Sequence, residues 1–210
     1  MGIEKMKKAA LFVLAAMLCS SAFAAGDAAA GKSAYAVCVA CHGANGEGNR
    51  GVNSPKIAGQ EPWYLTRQLN AFKSGTRGTA QGDTLGMQMR PMAMTLTNDA
   101  AIANIVAYVA TLPAAPSPAT VEGDAAAGKT GYAVCAACHG ANGEGNEQMG
   151  GPALVGQDDW YLVNQIKGYQ KGHRGYASGD TYGMQMKPMA AMLTTDKAIN
   201  DVVAYINSLQ

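Results

Sequence analysis

Residues 38–48 read Cys-Val-Ala-Cys-His-Gly-Ala-Asn-Gly-Glu-Gly, and residues 135–145 repeat them as Cys-Ala-Ala-Cys-His-Gly-Ala-Asn-Gly-Glu-Gly. Each copy opens with Cys-x-x-Cys-His: Cys38, Cys41 and His42, then Cys135, Cys138 and His139. Two thiols one helical turn apart can add to the two vinyl groups on one edge of a porphyrin, and the next imidazole then falls beneath the iron. A redox dithiol requires neither the following histidine nor a second copy, and a zinc site would have to ignore the Cys-Cys-His order. The pattern predicts two covalent c-type haems, held by the four cysteines, with His42 and His139 as proximal ligands.

Working outward, the repeat extends far beyond the motif. Residues 26–49 and 123–146 are identical at 21 of 24 positions, and the offset of 97 residues still holds at Met89 and Met186. A repeat of this length means two tandem domains rather than a solenoid. The expected boundaries are 25–113 and 121–210, joined by a proline-rich linker over 114–120 that prefers an extended path. Before them, Lys5, Lys7 and Lys8, an apolar run from Ala9 to Leu18, and Ala22-Phe23-Ala24 read as a signal peptide over 1–24. That leader implies export to the periplasm and takes Cys19 with it, which leaves no cysteine for a structural disulfide. No other apolar run is long enough to span a membrane, although surface association with a membrane complex stays compatible with the sequence. Residues 25–116 carry seven basic and five acidic side chains, and residues 117–210 carry six and nine. Such a near balance argues against nucleic acid, which calls for a basic face, and leaves a modest dipole along the molecule.

The hydrophobic pattern is helical throughout. Each copy reads as three main helices with long loops, an all-α class in which the loops wrap a cofactor. The first helix is expected from about Asp27 to Cys41. The second starts near Pro62 and stops before Gly75, with Leu65, Leu69 and Phe72 inward, matched by Leu162, Ile166 and Tyr169. The third follows Thr97 or Thr194 as N-cap, and Ile102, Ile105, Val106 and Val109 form a stripe repeated as Ile199, Val202, Val203 and Ile206. Domains this small bury a modest core, and the haem supplies the missing apolar bulk.

A haem iron with one histidine ligand either keeps its sixth position open or fills it; methionine is the usual filler, and methionines gather ahead of the third helix. Met87, Met89 and Met92 pair with Met184, Met186 and Met189, whereas Met94 and Met192 have no partner in the other copy. Met ligation raises a haem's reduction potential. His173 is a rival ligand, but the corresponding position is Thr76, which leaves it a loop residue if both sites are alike. Pro55 and Pro152 each lie 13 residues after a proximal histidine, where a nearby carbonyl could accept its Nδ1 proton. Trp63, Gln68 and Arg77, with Trp160, Gln165 and Arg174, are candidates for the haem propionates.

Tandem Cys-x-x-Cys-His domains behind a signal peptide, each with Met-x-x-Met-Ala before its last helix, resemble the cytochrome c4 family of di-haem class I cytochromes c. The resemblance covers the whole chain after the leader. It implies that the first Met of that segment is the ligand, which selects Met89 and Met186. It also implies two similar folds about a pseudo-twofold axis with the propionate edges facing. Pro91 and Pro188 inside the segment suit a ligand loop held out of helical geometry. The implied function is electron transfer in the periplasm, with redox proteins of the respiratory chain as partners: a quinol-oxidising complex as donor, a terminal oxidase or other reductase as acceptor. The alternative is a di-haem enzyme of the peroxidase or thiosulfate-oxidising type, with one haem open to substrate.

Overall fold

The computed structural model describes residues 26–210, so the signal-peptide reading of residues 1–24 lies outside the described residues. Ten α-helices and no strand occur among them, five helices in each half. The first half holds α1 (Ala28–Tyr35), α2 (Val39–His42), α3 (Pro62–Ser74), α4 (Thr84–Met94) and α5 (Asp99–Val109). The second holds α6 (Ala125–Tyr132), α7 (Ala136–His139), α8 (Asp159–Gln170), α9 (Thr181–Ala191) and α10 (Asp196–Asn207).

Local chemistry sets these boundaries. Asp27 caps α1 by accepting from the amides of Ala29 and Ala30 at 2.8 and 3.2 Å, and Asp124 repeats the cap on α6. The first helix is shorter than its sequence pattern: it ends at Tyr35, and the haem motif forms a separate turn of helix. The α3 helix has Pro62 at its N-terminus and Gly75 at its C-cap with φ of +80°, a conformation that suits glycine. The last helices start one residue later than expected. Asn98 and Thr195, not Thr97 and Thr194, are the N-caps, accepting from Ala101 and Ala198 three residues on.

The methionine segment also departs from expectation. Pro91 and Pro188 sit inside α4 and α9 rather than in an irregular loop. Asp83 and Asp180 nucleate these helices by accepting from Gly86 and Gly183 at 2.9 Å. Each proline then deprives the carbonyl four residues back of its donor. Those carbonyls belong to the exposed Met87 and Met184, where solvent can replace the lost bond.

Each half has its own core. Ile102, Ile105, Val106 and Val109 join Tyr35 and Leu96 in one, and Ile199, Val202, Val203 and Ile206 join Tyr132, Leu162, Ile166 and Tyr169 in the other. Burying each aliphatic side chain is worth about 1.5–3 kcal/mol, so the stripe sets where the last helix docks. The first helix lies across it at very close range: a Cβ on Gly31 would fall 2.0 Å from the Asn104 carbonyl oxygen, and one on Gly128 1.9 Å from that of Asp201. No larger residue fits that crossing. It places the attachment turn at the mouth of the core.

Candidate haem sites

The attachment turns are built alike. The amide of His42 donates to the Cys38 carbonyl at 2.8 Å, and that of His139 to the Cys135 carbonyl at 2.9 Å, so each motif makes one helical turn. All four cysteines are free of disulfides. The Tyr35 and Tyr132 hydroxyls donate to the carbonyls of Gly43 and Gly140 at 2.8 Å, which fastens the residue after each histidine to the first helix. His42 and His139 are buried, and Nδ1 lies 2.8 Å from the Pro55 carbonyl in one and 2.7 Å from the Pro152 carbonyl in the other. A carbonyl can only accept, so the proton sits on Nδ1 and Nε2 keeps its lone pair. Burial pushes both imidazoles below their ordinary pKa against the opposing pull of that hydrogen bond, which favours the neutral, metal-binding form.

A cavity of about 590 Å³ opens over the first turn, lined by Cys38, Cys41, His42, Leu69, Phe72 and Met89, with Met92 also at its wall. Among the paired methionines, Met89 and Met186 are half-buried, whereas Met87, Met92, Met184 and Met189 are exposed. Met186 packs against the second core. Met87 and Met184 lie two residues away on the same helix, where a 3.6-residue period turns them to another face, and Met92 and Met189 lie three residues on, near the same face but more exposed.

The cavity extends to the contact between the halves. There Arg77 and Arg174 face each other through a shared amide pair. Arg77 donates to Gln68 at 2.5 Å and Gln165 at 3.1 Å, and Arg174 donates to Gln165 at 2.8 Å and Gln68 at 3.2 Å. Each guanidinium also stacks on an aromatic ring of its own half, Phe72 at 4.5 Å and Tyr169 at 4.4 Å. The main-chain contacts are mirrored in the same way. The Lys56 amide donates to Asp158 at 3.0 Å and the Ala153 amide, 97 residues on, donates to Glu61 at 2.8 Å. The halves are thus related by a pseudo-twofold exchange of equivalent contacts.

The residues fit a haem. Arg174 is buried and its Nε has no partner, and the ion pairs among the described residues, Lys167–Asp196 and Lys197–Asp201, leave both arginines without a carboxylate. Two interior cations met only by neutral acceptors require anionic groups, since an unpaired buried charge is costly. Haem propionates would supply them. Trp63 does not line this cavity; the tyrosine after it, Tyr64, does, as does Tyr161 from the other half. Adjacent helical residues point about 100° apart, and Trp63 instead stacks with Arg67 at 4.8 Å, while Arg67 reaches the Gly150 carbonyl at 2.6 Å. Tyr64 and Tyr161 escaped the sequence reading, although their 97-residue spacing beside the Trp pair was the available signal.

A fold with two such turns, each followed by a carbonyl-oriented histidine and an inward methionine, defines a di-haem c-type cytochrome. The family model described as cytochrome c matches residues 28–113 and 125–210. Cytochrome c4 of Azotobacter vinelandii is 36% identical over 203 residues, 90% of this chain and 91% of its own. The reduced recombinant cytochrome c4 structure from Pseudomonas stutzeri superposes with a TM-score of 0.67 at 32% identity, over 89% of this chain and all of that one. A thiosulfate dehydrogenase electron acceptor from Thiomonas intermedia is 34% identical over 79% of this chain and 76% of its own. The chain belongs to the cytochrome c4 family and carries two covalent c-type haems, at Cys38/Cys41 and Cys135/Cys138. It is an electron carrier rather than an enzyme. No helix among the described residues is long and apolar enough to cross a membrane.

Proposed function

We propose that the protein shuttles electrons in the periplasm between a respiratory quinol-oxidising complex and a terminal oxidase or other reductase, through irons ligated by His42 and Met89 and by His139 and Met186. The half-burial of Met89 and Met186, alone among the paired methionines, carries this reading. When bound, the haem supplies one-electron chemistry at an iron that cycles between ferric and ferrous. The Pro55 and Pro152 carbonyls fix the histidine rings so that Nε2 presents one lone pair in both states. The thioethers of Met89 and Met186, as ligands, would favour the reduced iron and would occupy the position a substrate would need. Arg77 and Arg174, with Gln68 and Gln165, would hold the propionates, so both cofactors share one polar seam.

The relative named as a thiosulfate dehydrogenase electron acceptor supports a second donor, an enzyme that oxidises thiosulfate and reduces this carrier. In that role too the protein accepts and passes on electrons and performs no bond chemistry of its own. Optical spectra of the ferrous protein with and without carbon monoxide test the reading. The spectrum is expected to ignore carbon monoxide; a shifted Soret band would mean an open iron and would favour the di-haem enzyme instead.

A further inference from the structure

The chain has three histidines, and His173 is the one outside the attachment motifs. It lies in the loop after α8, in the second half, yet it lines the cavity of the first half. A Cβ placed on Gly82 would sit 3.3 Å from its Nε2. The exchange is reciprocal: a Cβ on Gly179, the equivalent of Gly82, would sit 3.2 Å from Cγ2 of Thr76, the equivalent of His173. Each half therefore pushes one loop residue against the other half, and in one of the two crossings that residue is an imidazole. Its neighbours follow the same bias. Lys167 and Lys171 also line the first cavity, whereas the corresponding positions in the other direction are Asn70 and Ser74.

We propose that His173 is a proton-linked tuning residue for the haem of the first domain, favouring its reduced state when protonated, with no counterpart at the second haem. This rests on the carrier reading above. Imidazole is the side chain that changes charge between about pH 5 and 8. The charged groups that line the same cavity or pack beside this loop are Lys171 and Arg174 on the loop itself, Lys167 on α8, Lys187 on α9 (its Nζ would lie 3.8 Å from a Cβ on Gly172), Lys56 and Arg77 from the first domain, and Asp83 beside Gly82 at the start of α4. An electron from the donor that reduces the bound haem from ferric to ferrous would add negative charge to the cavity, and this would favour the protonated ring, which would take up at most one proton from water. His173 touches neither iron; it acts through the field across the domain contact.

The test is a spectroelectrochemical titration of the two-haem protein from pH 5.5 to 8. Two one-electron waves are expected, one independent of pH and one whose equilibrium constant for reduction falls about threefold, roughly 28 mV at 59 mV per tenfold. The sloping wave is the one displaced by Met89→Ala and not by Met186→Ala. His173→Thr should flatten it, His173→Lys should hold it high and flat, and Thr76→His should give the other wave a slope of its own. A slope that survives His173→Thr, belongs to the Met186 wave, or is missing from the wild type overturns the proposal. The axial ligands are read separately, from the far-red band recorded in the same cell.

Discussion

The two halves agree where they hold haem and along the arginine–glutamine seam, and differ at other points of their contact. The attachment turn, the histidine–carbonyl pair, the Asp cap of the methionine helix and the arginine–glutamine seam recur residue for residue. At the contact three equivalents diverge: Lys56 against Ala153, Arg67 against Asn164, Thr76 against His173. Lys56 and Arg67 reach carbonyls of the second half, those of Gly156 and Gly150, and His173 reaches back to the first half as the one imidazole at the contact. Duplication alone would give two equal carriers. A contact built from unequal residues gives two sites that can be told apart chemically while each keeps the same coordination.

The largest break in the comparison should come from the ligands the halves share. Met89→Ala and Met186→Ala should each remove about half of the weak far-red sulfur-to-iron absorption of the ferric protein, because one of two matched sites is lost. Each should lower one potential by on the order of 0.2 V, a fraction of the ~0.8 V range that axial ligands span. Met92→Ala, which also reaches the cavity wall in the first half, should leave the band intact. Loss of the band in Met92→Ala would move the ligand three residues along α4.

Next comes Asp159, which has no acidic equivalent in the first half. Its carboxylate is fully buried and accepts from the Val121 amide at 2.7 Å, the Trp160 amide and Thr120 hydroxyl at 2.6 Å, and Asn207 at 3.0 Å, besides the Thr120 amide. It ties the end of the linker to the start of α8 and the end of α10. Burial pushes its pKa up, but the hydrogen bonds from Thr120, Val121 and Trp160 outweigh that and hold it below the ordinary carboxylate value. Asp159→Ala should destabilise the second half by about 2–4 kcal/mol in urea unfolding at neutral pH, because several buried donors lose their acceptor. A depressed folded pKa means the contribution is complete above the ordinary carboxylate value near 3.9 and is lost as pH falls through the lower folded value. The gap between wild type and variant should therefore close in acid. A gap that widens there would reverse the sign of the shift.

How much of this was legible beforehand follows from which interactions are local. The Cys-x-x-Cys-His turns and the stripe from Ile102 to Val109 depend on spacing within one segment, and spacing is written in the chain. The Met segment misled because proline argues for a break, whereas the carbonyls it orphans sit on exposed residues that tolerate the loss. Caps slipped by one residue because Thr97 and Asn98 are both good N-caps and only the folded geometry chooses between them. The partners of Lys56, Asp159 and His173 come from 38 to about 100 residues away. Periodicity carries no information about such pairings. The 97-residue offset could have flagged these positions as mismatches without saying what they meet.

Lys56 is the milder anchor. Its ammonium, buried at the contact, donates to the Gly156 carbonyl at 2.8 Å and to the Ala115 carbonyl in the linker. Burial lowers its pKa, only partly opposed by Asp158, so desolvation offsets some of what the hydrogen bonds contribute. Lys56→Met keeps the apolar stem and should cost about 1 kcal/mol. Its clearer mark should be faster amide hydrogen exchange in linker residues 114–117, with that of α5 unchanged. Exchange that stays unaltered would mean the linker is held by Ser117, which donates to the Gly156 carbonyl at 3.2 Å, and not by the lysine.

The smallest expected effect concerns which half a partner approaches. The charge counts favour acidic partners for the first half and basic ones for the second, but Asp158 and Asp159 are buried and are not available for steering. What remains at the surface includes one direct reversal: exposed Arg50 occupies the position of exposed Glu147. Each lies in the loop that follows its attachment turn, two residues before an exposed apolar side chain, Val52 or Met149. A partner meeting that rim would feel opposite signs on the two halves. Exposed charges are screened beyond about 8 Å at physiological salt, so Glu147→Arg should slow electron transfer with a small basic redox protein by only about threefold at low ionic strength, and not at all near 0.15 M. Arg50→Glu should do the same to an acidic partner and spare the basic one. Stopped-flow rates across a salt series decide it. If both variants slow both partners equally, the rim is shared and the halves are not polarised; if neither variant changes any rate, electrons enter and leave away from this loop.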